Sequence, residues 1–146
     1  MKRFMLLMIL PLLMSVSVWG QDKKVDLKNF KVQVDQVLPS TFPSKMLDGT
    51  DYLKVKNDSV TLSLPYFGEI NSPGYNPDGM DFTEPIQNWK MTTKQKKSGE
   101  CTEIDFTVKH YVNYKVHLTL WDNNSSSIDI IPENGTFISY QGTVTD

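Results

Sequence analysis

Apolar residues at every second position leave this chain few folds to choose from. Phe30, Val32 and Val34 alternate with polar residues, as do Leu53 with Val55, and Val60 and Leu62 with Leu64. A period of two places such side chains on one face of an extended strand, so each run reads as a strand with one buried side. The register between the second and third runs follows from the two residues that separate them. A turn at Asn57-Asp58 pairs Lys56 with Ser59, which sets Val55 opposite Val60 and Leu53 opposite Leu62, with all four side chains on a shared face. Asn and Asp tolerate the positive φ that so tight a hairpin requires.

The pattern resumes after residue 100. Thr102, Ile104, Phe106 and Val108 share one parity. Tyr114, Val116, Leu118 and Leu120 share another, facing the same core if the turn across residues 110–112 has an odd number of residues. Ile128 with Ile130, then Ile138, Tyr140 and Val144, continue it, with turn-rich gaps at residues 121–126 and 132–135. Trp89 and Met91 suggest one more strand, closed by a lysine-rich turn over residues 94–99. No stretch downstream of residue 20 keeps helical spacing over about twelve residues. The expected fold is all-β: one antiparallel domain of about eight strands joined mostly by hairpins, a β-sandwich or a partly closed barrel.

The N-terminus carries an address. Met1-Lys2-Arg3 is cationic, residues 4–14 are apolar apart from Pro11, and residues 15–20 are mostly small, the three parts of a cleaved signal peptide. A membrane-spanning helix needs about 20 apolar residues, and this run falls short. The expected division is a signal peptide at 1–20, an N-terminal arm at 21–29 and the β domain at 30–146, with Gln21 the first mature residue. Cys101 is the single cysteine and lies far from the cleavage site, so no thiol is placed to carry a lipid. The expectation is a soluble protein of the periplasm or the extracellular space, with no membrane insertion after cleavage.

Removing 20 of the 146 residues leaves 126, enough for one core. Loss of Lys2 and Arg3 turns 15 basic residues into 13 against 17 acidic ones, a net charge of −4. That balance repels phosphate backbones and anionic lipid, which argues against nucleic-acid or membrane binding. One cysteine cannot pair within its own chain, so packing must supply the stability. Cys101 shares parity with Glu103 and Asp105, and acidic neighbours disfavour a nucleophilic thiolate.

One segment breaks the hairpin rhythm. After Leu64 the chain runs Pro65-Tyr66-Phe67-Gly68, then through Pro73, Gly74, Pro77 and Gly79 to Met80-Asp81-Phe82. Loops of this length are more often functional, or packed over the core, than idle. Together with Ile138-Ser139-Tyr140-Gln141-Gly142 near the C-terminus, the Leu-Pro-Tyr-Phe-Gly block and the Gly79 to Phe82 stretch resemble the secreted bacterial family known as domain of unknown function 4251. The likeness spans most of residues 30–144. It implies secretion and a β fold, and it brings no established activity or functional residues.

Tyr66, Phe67, Tyr75 and Phe82 are the candidate binding surface, an aromatic layer over one end of the core. The alternative is that these rings only staple the loop. Other chemistry is weak. His110 falls in a turn and His117 faces solvent, so the two do not form a metal site. Asp122, Asn124, Ser126 and Glu133 match calcium-loop offsets, but Ser127 stands where the turn needs glycine. No nucleophile elbow, zinc motif or phosphate loop is present. No cofactor is called for, and the expected protein is no enzyme. The expected function is a binding or interaction module for an unknown protein or small ligand, acting through residues 66–82. The alternative is a carrier of a small apolar ligand inside a barrel, opposed by inward positions already filled with large side chains. Partner identity and oligomeric state have no motif.

Overall fold

The computed structural model describes residues 27–40, 43–67, 70, 79–97 and 99–145. The signal segment at 1–20, most of the 21–29 arm and Tyr75 lie outside the described residues.

Ten strands follow one another in chain order, and the described residues contain no helix. They are β1 (Asn29–Pro39), β2 (Lys45–Met46), β3 (Tyr52–Lys56), β4 (Ser59–Pro65) and β5 (Gly79–Pro85), then β6 (Gln87–Lys96), β7 (Gly99–His110), β8 (Val112–Trp121), β9 (Ser125–Pro132) and β10 (Ile138–Thr145). The hydrogen-bonded order is β5-β4-β3-β1-β10-β9-β8-β7-β6, with β2 attached to β1. Every pairing is antiparallel. The sheet curls into a half-barrel, which decides between the two architectures left open by the sequence.

Local chemistry explains the register. Asn57 adopts φ 55°, and the hairpin it forms pairs Lys56 with Ser59, Val55 with Val60 and Leu53 with Leu62, as the arithmetic of the alternation required. At the β7–β8 turn only Tyr111, at φ 66°, separates the paired His110 and Val112. Val108 therefore faces Tyr114, and both ladders point their even-numbered residues inward. β1 contains a bulge between Val34 and Gln36 that shifts parity, so Val37 is buried like Val32 and Val34 before it.

β1 and β10, at opposite ends of the described chain, pair in the middle of the sheet and join its two halves. Gly142 makes the approach possible. A Cβ there would stand 2.1 Å from the Gln33 carbonyl oxygen, and that oxygen belongs to backbone that cannot swing away. The concave side is filled by one continuous apolar cluster, from Phe30 and Leu53 through Ile104 and Leu118 to Tyr140. One hydroxyl is misplaced in it: Ser126 is buried, and its Oγ has no hydrogen-bond partner among the described residues.

The two edge strands, β5 and β6, are consecutive in sequence and joined by Ile86 alone. They come near each other's neighbours where Phe82 of β5 stacks on His110 of β7, centroids 4.3 Å apart. Beyond that contact the half-barrel formed by the described residues has an open side. β6 continues to Lys96, so the expected lysine-rich turn is shorter than its sequence suggested.

Candidate functional site

The long connection after β4 begins by anchoring itself. Pro65 ends the strand, and its carbonyl accepts a hydrogen bond of 2.5 Å from the Tyr140 phenol of β10. Tyr66 is buried, and its hydroxyl donates to the Thr136 carbonyl at 2.8 Å while accepting from the Thr136 amide at 3.1 Å. The Leu-Pro-Tyr-Phe-Gly block and the Ile-Ser-Tyr-Gln-Gly block are thus held together through side chain to main chain. Burial, with lesser contributions from Tyr66, Asp51 and Tyr114, pushes the Tyr140 phenol well above the usual tyrosine range.

The remaining aromatic candidates divide. Phe67 is half-buried against the core, with the Lys45 ammonium 5.0 Å from its centroid. Phe82 is buried on β5 between His110 and the Tyr114 ring, 5.5 Å away. Tyr66 at 6% exposure and Phe82 at 7% have little ring surface left to offer a partner. Tyr75 lies outside the described residues.

The histidines sit on opposite faces of the sheet. His110 closes β7 on the inner side and bonds Glu84 at 3.1 Å, whereas His117 points outward to Asp105 at 2.6 Å. Asp122, Asn124 and Ser126 do not converge either. Asp122 receives the Glu100 amide, the Asn124 carbonyl receives the Val144 amide, and Ser126 points into the core. Cys101 is a finding against its parity: it shares the outer side with Glu103 and Asp105 and is nonetheless buried. In register it is flanked by Trp121 and Lys94, whose ammonium reaches over to Glu103 at 2.8 Å. The apolar stem of such a lysine covers what lies beneath it. Hydrogen bonds from Lys94 and Lys96 hold the Glu103 carboxyl below its usual range.

Sequence reasoning overlooked the open side. All ten residues of β6 are exposed, and their two faces differ. Lys90, Lys94 and Lys96 lie on the outer face, in register with Asp105, Cys101 and Gly99 of β7. Met91 and Thr93 lie on the inner face opposite Ile104 and Thr102. Trp89 shares the inward parity of Met91 and stacks on Phe106 at 5.9 Å, while a bulge at Asn88, with φ 56°, shifts the strand before it. Trp89 keeps 39% and Met91 48% of its surface exposed. With Leu27 and Ile86 they line a cavity of about 560 Å³ at the mouth of the half-barrel. Lys28, Asn57 and Asp58 form its polar rim, tied in place by the Asn57 amide on the Lys28 carbonyl and the Ile86 amide on the Asp58 carbonyl, both at 2.7 Å. The signal was present in the alternation of Trp89 and Met91 with Lys90, a strand with one apolar face.

No curated protein and no solved structure matches the chain. The family model described as domain of unknown function (DUF4251) matches residues 20–144, and the chain belongs to that family.

Proposed function

We propose that this is an exported, non-enzymatic interaction domain that meets its partner through the open side of the half-barrel, on the inner face of β6. The supporting observation is the exposure of Trp89 and Met91 beside a cavity, on a strand that buries none of its ten residues. Exposed apolar side chains grouped on a concave surface are what a partner covers, whereas the rings of Tyr66 and Phe82 are already spent on the core. A carrier role is the second reading, favoured by a cavity volume of about 560 Å³, within the range of small-molecule sites.

An environment-sensitive apolar dye tests the surface. Trp89→Ala with Met91→Ala should abolish dye binding and leave the melting temperature nearly unchanged, while Tyr66→Phe should lower the melting temperature and leave dye binding intact. Unchanged dye binding in the double variant would overturn the reading. Mass spectrometry of solvent extracts separates the carrier: a co-purifying apolar molecule displaced by the dye supports it. For export, the N-terminus of material outside the cytoplasm should be Gln21, and an intact Met1 there would contradict it.

A further inference from the structure

Resting on the open-side reading, we propose that β6 takes up an extended polypeptide strand whose side chains alternate between acidic and apolar. Among the described residues β6 is hydrogen-bonded on one side only, to β7. Its other edge presents the unpaired amides and carbonyls that accept an added strand. The strand holds three lysines and no acidic residue. Those lysines occupy one face, and Trp89 and Met91 the other.

The partner's pattern is written in β7. Along Glu103-Ile104-Asp105-Phe106, carboxylates alternate with apolar side chains. Asp105 lies opposite Lys90, Ile104 opposite Met91, and Phe106 stacks on Trp89. Glu103 draws the Lys94 ammonium to 2.8 Å and the Lys96 ammonium to 3.3 Å. A second strand of the same alternation, added to the free edge, would meet the same two faces of β6: carboxylates beside the lysines, apolar groups over Trp89 and Met91. Lys90 has no carboxylate partner among the described residues, so one ammonium is available without breaking an existing pair. The lysines also decide against a second copy of this chain. Pairing β6 with itself would set lysines beside lysines on the outer face.

The test uses the purified protein and three synthetic octapeptides: alternating Asp and Val, alternating Lys and Val, and the Asp-Val peptide N-methylated at alternate residues. The Asp-Val peptide should bind, slow amide exchange in β6, and lose roughly tenfold in affinity between low and high salt. The other two should fail. Equal binding of the Lys-Val or N-methylated peptide, or protection outside β6, would overturn the proposal. So would concentration-dependent dimerisation that protects β6 without peptide. Failure of all three peptides while the dye still reaches Trp89 refutes strand addition and leaves the open-side surface standing; loss of dye binding as well refutes both.

Discussion

The phenol of Tyr140 donates to the main-chain carbonyl of Pro65, 75 residues earlier, and so ties the last strand to the place where the fourth one ends. Tyr66 repeats the device one residue on, with Thr136. These two tyrosines explain why blocks so far apart in sequence belong together: each supplies a hydroxyl that satisfies backbone at the point where the sheet gives way to a loop.

Tyr140→Phe should destabilise the fold by about 1–2 kcal/mol, because it removes a hydrogen bond and leaves a part-buried carbonyl without its donor. The raised phenol adds a pH dependence. Stability due to a group whose proton is held more tightly in the folded state is intact below the unfolded value, about 10 for tyrosine, and drains away as the pH rises past it. Denaturant midpoints measured from neutral pH into the alkaline range should therefore fall above about pH 10, and the fall should be shallower in the phenylalanine variant. Dye binding below that range should not change.

Gly142→Ala places a methyl group against backbone rather than against a movable side chain. β1 and β10 would have to separate where they join the two halves of the sheet, at a cost of about 1–3 kcal/mol. Calorimetry should show a lower melting temperature, and exchange of the Gln33 and Thr143 amides, which face each other across the β1–β10 pairing, should quicken more than that of β7.

Ser126→Ala predicts the opposite sign. A buried hydroxyl without a partner costs about 1–3 kcal/mol, and removing it costs almost no packing volume. The variant should melt higher than the parent.

Much of the fold was legible because alternation specifies which face is buried and hairpin length specifies register. Asn57-Asp58 fixed one ladder to the residue, whereas the turn after His110 set only a condition, an odd number of residues, which the single Tyr111 meets. The bulge at Val34 and Gln36 was not legible, since parity alone cannot show where a strand shifts by one. Cys101 misled for a related reason: its neighbours in register are Lys94 and Trp121, whose long side chains the period of β7 does not reveal. The aromatic cluster was visible in the sequence, but composition does not say whether a tyrosine hydroxyl finds backbone or solvent. Trp89 and Met91 were placed on a strand and their exposure was hidden, because it depends on β6 being an edge strand among the described residues.

Hydrogen exchange across β6 in the free protein tests the open side most directly. Amides of β6 that point away from β7 should exchange orders of magnitude faster than those of β8, which is paired on both sides, and Trp89 should be readily quenched by acrylamide. Protection of β6 equal to that of β8, with a shielded Trp89, would mean that this edge is already covered and would contradict the account.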